Sequence, residues 1–156
     1  MVTAYIFMLS AAVASPTQAA GPSPAETAAI FKAAGGVRRG GKWLLCAEDP
    51  VAEGAAIERF GDLNGDGRPE AVLTEGGTFC YGHTGAGFTL LSKQADGNWK
   101  PVTADIGIPE FLTTKGLGGW PDISIGGPGF CFPVQRWNGK EYVVHRHQYE
   151  GKACRP

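Results

Sequence analysis

Ala56-Ile57-Glu58-Arg59-Phe60-Gly61-Asp62-Leu63-Asn64-Gly65-Asp66-Gly67-Arg68-Pro69-Glu70-Ala71-Val72-Leu73-Thr74 is the stretch on which the fold turns. Its two ends, 56–61 and 71–74, are short and β-prone, the second a plain apolar run, so the segment reads as strand, loop, strand. Within residues 62–70, side-chain oxygens recur at loop positions 1, 3, 5 and 9 (Asp62, Asn64, Asp66, Glu70), and Gly67 occupies position 6. A tight loop of this kind aims alternate side chains at one point, and a hard cation such as Ca²⁺ takes about six to eight oxygens. The Arg68 carbonyl, at position 7, is a further candidate ligand. Three crowded carboxylates repel one another unless a cation neutralises them. The plain alternative is an acidic hairpin turn, because Asn-Gly and Asp-Gly are ordinary turn dipeptides.

The pattern departs from the EF-hand, which needs helical flanks and a bidentate Glu at position 12; that position is Leu73. Phe60 to Val72 instead resembles the FG-GAP/VCBS type of calcium loop, found in integrin-like propellers and in many secreted bacterial proteins. The resemblance spans this loop alone and implies Ca²⁺. In that family the ninth loop position is usually Asp, whereas here it is the longer Glu70, which implies looser coordination or coordination through water. The missing position-12 acid implies weak affinity, about 10⁻⁴–10⁻³ M as in extracellular modules.

The chain has 156 residues, enough for one domain. Residues 1–19 read as a signal peptide: Met1 to Ala20 carries no charge, its apolar run Ala4 to Leu9 is too short to remain as a membrane span, and small residues follow. The usual n-region Lys or Arg is missing. Residues 20–156 form the expected single domain, periplasmic or secreted, with no membrane span after cleavage. Four cysteines without a Cys-x-x-Cys pair argue against zinc and for two disulfides in an oxidising compartment. Of the three pairings, Cys46–Cys80 with Cys131–Cys154 is preferred, since each bond stays within one half of the chain. With 14 basic against 15 acidic residues and no basic stripe, nucleic-acid binding has no support.

Ser23-Pro24-Ala25-Glu26 reads as a capping box opening a helix through Ala34, stopped by Gly35-Gly36. From Trp43 the pattern is β. Phe88–Lys93 and Trp99–Val102 read as strands joined around Asp96-Gly97; Pro133–Trp137 and Glu141–His145 as a hairpin with a type I′ turn at Asn138-Gly139, Pro133 lying at an edge or strand start. Ile108–Lys115 reads as one or two helical turns ended by Gly116. Pro69–Leu73 followed by Cys80 is echoed by Pro121–Ile125 followed by Cys131, the Pro-to-Cys spacing being 11 and then 10. In the second copy Lys115-Gly-Leu-Gly-Gly-Trp120 replaces the carboxylates. The expectation is mainly β: two small antiparallel blade-like units packed together, with a short N-terminal helix, since two blades cannot close a propeller.

Candidate chemistry is sparse. His145 and His147, two apart on a strand, share a face but lack a third ligand at recognisable spacing; His83 sits in a Gly-rich loop. Glu75, Glu110 and Asp122 are the carboxylates available for pairing, with nothing local to fix their separation. No nucleophile elbow, zinc helix or phosphate loop is present. Trp120, Phe130, Phe132, Trp137 and Tyr142 suit either a β core or a partner surface. The expectation is a monomeric, non-catalytic calcium-binding β-module with a protein or glycan partner. The alternative is an inhibitor of an extracellular hydrolase or a toxin-neutralising protein, presenting Gly126–Gly129 or Gly82–Gly85.

Overall fold

The computed structural model describes residues 21–156; the expected signal peptide lies outside the described residues. The first element, α1 (Pro24–Ala33), starts as its sequence dictates, with the Ser23 hydroxyl accepting the Glu26 N–H at 3.2 Å and Pro24 in the first turn. Glu26 does not reach back to close a capping box; its carboxylate pairs with Lys93 Nζ at 2.5 Å. Past Ala34 the chain turns left-handed at Gly35 (φ +78), and the Gly36 N–H donates to the Phe31 carbonyl at 2.8 Å. The helix docks through Ile30 and Phe31, the latter stacked on Trp43 with ring centroids 5.3 Å apart.

A two-stranded ribbon follows, β1 (Val37–Arg39) and β2 (Lys42–Leu44). Next comes a four-stranded antiparallel meander of β3 (Ala56–Gly61), β4 (Glu70–Gly76), β5 (Ala86–Lys93) and β6 (Trp99–Ile106). A short helix, α2 (Thr78–Tyr81), and a 3₁₀ turn at 82–84 lie between β4 and β5. After Gly107 a second meander runs through β7 (Ile108–Lys115), β8 (Pro121–Gly126), β9 (Phe132–Trp137), β10 (Tyr142–Tyr149) and the short β11 (Lys152–Ala153). The protein is therefore mainly β, as expected. Both preferred disulfides form, each inside its own half: Cys46–Cys80 and Cys131–Cys154, with Cα–Cα distances of 6.1 and 5.6 Å.

Two local expectations fail. Residues 108–115 are a strand, not helical turns: Pro109–Phe111 pair with Ile123–Ile125, and the sheet satisfies a backbone that a single helical turn would leave half unpaired. Asn138-Gly139 is not a two-residue turn, because Trp137 pairs with Tyr142 across four loop residues, with Asn138 Oδ1 accepting the N–H groups of Lys140 and Glu141. Pro133 is the second residue of its strand, beyond the two residue pairs that join β9 to β8.

The two meanders stack in the same sense. Ala71 and Leu73 of β4 face α1 and its surroundings, while Val72, between them, faces the second meander. In β8 it is Ile123 and Ile125 that face the first meander, and Asp122 and Ser124 that face outward. With Pro69–Leu73 set against Pro121–Ile125, Ile123 takes the place of Ala71. Opposite faces of equivalent sheets are thus in contact, a head-to-tail arrangement like neighbouring blades. Val72, Phe88 and Leu90 meet Ile123, Ile125 and Tyr142 in this layer, each fully buried side chain contributing roughly 1.5–3 kcal/mol. The connection is one residue, Gly107, at φ +150; a Cβ there would stand 2.3 Å from Ile125 Cγ2.

Candidate functional site

The loop between β3 and β4 is organised by its own oxygens. Asp62 Oδ1 accepts the Gly65 N–H at 2.6 Å and Oδ2 the Gly67 N–H at 2.8 Å. Asn64 Oδ1 accepts the Asp66 N–H at 2.9 Å, and Asp66 Oδ1 the Arg68 N–H at 2.8 Å. Gly65 and Gly67 both take positive φ (+84 and +82), which turns successive amides toward the side chains. These amide bonds, led by the one from Gly67, hold the Asp62 carboxyl below its ordinary value of 3.8.

Glu70, the ninth loop residue, is fully buried at the start of β4. Its Oε2 accepts the Leu63 N–H and its Oε1 the Ser92 hydroxyl, both at 2.8 Å. Burial pushes its carboxyl above the ordinary 4.5, against the pull of those two bonds, and the neighbouring charge of Asp66 adds to the push. Glu70 thus braces the loop from within. Asp66 Oδ2, on the outer side, is tied to Arg68 Nη2 at 2.5 Å.

The donor set fits the calcium that the loop pattern implies in chemistry: every candidate ligand is a hard oxygen, although Asp62 Oδ1 already accepts two amides, from Gly65 and from Asp66 at 3.2 Å. The geometry described here is not a closed cage. Among the described residues, the one place where three His, Cys, Asp or Glu ligand atoms lie within 4.8 Å of one another is Cys46, Glu48 and Cys80, and those cysteines are disulfide-bonded. Asp66 would have to leave Arg68 to turn toward an ion.

The corresponding loop of the second meander, between β7 and β8, serves as a seat. Gly119 lies so close to the first loop that a Cβ would be 2.2 Å from the Asn64 carbonyl oxygen. Glycine there is a packing requirement. Trp120 packs beside Leu63 in the shared core and lies 5.6 Å, centroid to centroid, from Trp137.

Asp122 stands where Glu70 stands in the first meander, and it too is fully buried. Arg136 Nε donates to Oδ1 at 2.9 Å, while Arg136 Nη2, Arg146 Nη1 and the Thr114 hydroxyl converge on Oδ2 at 2.8, 2.9 and 2.6 Å. Burial raises its pKa, but the bonds from Arg136, Thr114 and Arg146 outweigh it and hold Asp122 well below the usual carboxylate range. No local motif reveals this network, because its members lie on four different strands.

The other candidates are separate. Glu75, buried at the far end of β4, accepts the Leu45 and Cys46 N–H groups and the Tyr81 hydroxyl, anchoring the first disulfide; burial, then Glu75, raises the Tyr81 hydroxyl. Glu110 is exposed on β7. His145 is the extra residue of a β-bulge between Val144 and Arg146, so simple alternation with His147 is lost. Among the described residues no histidine ring hydrogen-bonds a carboxylate; His83 is exposed in the 3₁₀ turn. Tyr142 belongs to the core and Trp120 and Trp137 pack against it half-buried, whereas Phe130 is 73% exposed.

No family model matches the chain, and no curated protein or solved structure is found to be similar to it. The fold and site define a disulfide-braced antiparallel β-protein of two stacked meanders, with an oxygen-rich loop between them at one end. The two disulfides suit an oxidising extracellular or periplasmic environment, and no helix among the described residues is long and apolar enough to cross a membrane.

Proposed function

We propose that this is a periplasmic or secreted calcium-binding β-module, non-catalytic, whose role is to bind a partner while the ion stiffens one end of the stack. The observation that carries the reading is the Asp62–Glu70 loop: alternate side-chain oxygens around two positive-φ glycines, at the hairpin end that rests on Gly119. Asp62, Asn64, Asp66, the Arg68 carbonyl and Glu70 would hold the ion. Calcium supplies no reaction step here. It offsets the negative charge of three acids and fixes the loop, and because the folded loop alone presents the set, binding stabilises the folded state by mass action. The buried, upward-shifted Glu70 supports the reading, since a nearby cation would remove the cost of its charge. The FG-GAP/VCBS resemblance of Phe60 to Val72 points the same way, and export is supported by the two disulfides and the signal-like residues 1–19.

Thermal melts in chelator and in about 5 mM calcium test it, several-fold above the expected dissociation constant. The melting temperature is expected to rise by a few degrees with calcium in the native chain and to stay fixed in Asp66→Ala. A native chain that melts at one temperature in both buffers would remove the ion.

A further inference from the structure

At the end where the β3–β4 loop meets the 116–120 seat, a cleft of about 300 Å³ opens between the two meanders. Trp120 and Trp137 form its apolar wall, with planes tilted 42° to each other; both are only half-buried although Trp137 also packs on Tyr142. The polar wall comes from the facing meander: Lys100 at the start of β6, Gln94 before it, and Asn64 and Asp66 of the loop. Lys140, from the β9–β10 loop, closes the rim.

The charges decide what fits. Asp66 and Arg68 neutralise each other. Lys100 and Lys140 are exposed, and neither ammonium has an acidic partner among the described residues, where the ion pairs involve Arg68, Lys93, Arg136 and Arg146. The cleft therefore carries two uncompensated cations beside two indoles. The amides of Gln94 and Asn64 add neutral hydrogen-bonding groups. A ring with one apolar face, several hydroxyls and one carboxylate answers each of these features: the indoles take the face, the lysines the carboxylate, and the amides the hydroxyls. The volume sits at the small end of ligand pockets, suited to one ring rather than an extended chain.

We propose that this cleft binds an acidic sugar, a uronate residue at the end of a glycan or free in solution. The proposal deepens the binding-module reading and rests on it, but the cleft exists without the ion. The test titrates the full chain with galacturonate, galactose and acetate by NMR, once in chelator and once in calcium. Galacturonate is expected to move the indole N–H signals of Trp120 and Trp137, with those of Trp43 and Trp99 unchanged, and to bind at least about tenfold more tightly than either galactose or acetate. Lys100→Ala/Lys140→Ala, two exposed changes, is expected to weaken galacturonate by about tenfold or more with an unaltered melting temperature.

Equal binding of galacturonate and acetate, no shift at Trp120 and Trp137, or an undiminished affinity in the double variant would each overturn the proposal. The two readings fail apart from each other. Calcium-dependent melting without uronate binding removes the cleft and keeps the ion, and uronate binding with calcium-independent melting does the reverse. A digalacturonate that binds more tightly than the monomer assigns the ligand to a glycan end; equal affinities assign it to the free sugar, and either result upholds the site.

Discussion

Glu70 and Asp122 lie at the start of the second strand of their respective meanders, first and second residue in turn, both fully buried, and the chain uses them in opposite ways. Glu70 lies under the second meander, satisfied by a backbone N–H and a serine hydroxyl, so its charge has no counter-ion and burial shifts it upward. Asp122 lies on the outward face with two arginines, and its charge is favoured. The difference follows from position in the stack. The first meander is covered on one face by α1 and on the other by the second meander, which is why β4 and β5 are buried along nearly their whole length. The second has a neighbour on one face only. Its other face, equivalent to the one by which the first meander packs, is closed by ion pairs. One end of the stack is capped by hydrocarbon and the other by salt bridges.

Removing the caps one at a time probes that contrast most strongly. Phe31→Ala, which deletes the ring stacked on Trp43, is expected to cost about 3–4 kcal/mol in urea denaturation, as for other buried aromatics. A loss below about 1 kcal/mol would show that α1 is decoration rather than a cap.

Next in size is one acid-to-amide exchange made at both equivalent positions. Asp122→Asn is expected to cost about 3 kcal/mol, near the low end for breaking a buried pair because its arginines are about one-third exposed. Glu70→Gln in chelator is expected to cost less than about 1 kcal/mol, since an amide can still accept from Leu63 and donate to Ser92. Equal costs would erase the distinction.

The smallest effect is the pH dependence, and the signs oppose. Asp122 titrates below its ordinary 3.8, so its stabilisation is complete above that value and fades as pH falls toward the depressed one. Glu70 titrates above its ordinary 4.5, so its contribution is most favourable below 4.5 and declines as pH rises through the elevated one. In metal-free urea titrations between about pH 2 and 7, the deficit of Asp122→Asn should shrink on acidification, and Glu70→Gln should gain on the native chain as pH rises. Parallel profiles would contradict the assignment.

What was legible in the sequence is what is local. The arms of the β3–β4 hairpin, the Ser23 cap and the Gly35-Gly36 stop each depend on residues a few positions apart, and all are found where the pattern places them. The preferred disulfides follow from the division into halves. Residues 108–115 mislead because Phe111-Leu112 flanked by polar residues fits a helical turn as well as a strand, and the partner that decides, β8, lies beyond the Gly116–Trp120 loop. The loop after Trp137 escapes the two-residue rule because Asn138 caps two amides beyond it. The Asp122 network and the Lys100–Trp120–Trp137–Lys140 cleft are assembled by stacking, so no window of sequence contains them.

Neither disulfide crosses between the meanders, and this sets how the molecule would yield under tension. Pulled from its ends, the chain cannot extend between Cys46 and Cys80 or between Cys131 and Cys154 while the bonds hold, which hides spans of 34 and 23 residues from the force. Ahead of Cys46, α1 and the β1–β2 ribbon can peel away; past them, the length free to pay out runs from Cys80 to Cys131. It contains β5 through β8 and, with them, Phe88, Leu90, Ile123 and Ile125 of the layer that joins the two halves. Once that leading segment has peeled away, a stretched molecule could lengthen further only by tearing apart its own centre, leaving two cross-linked knots.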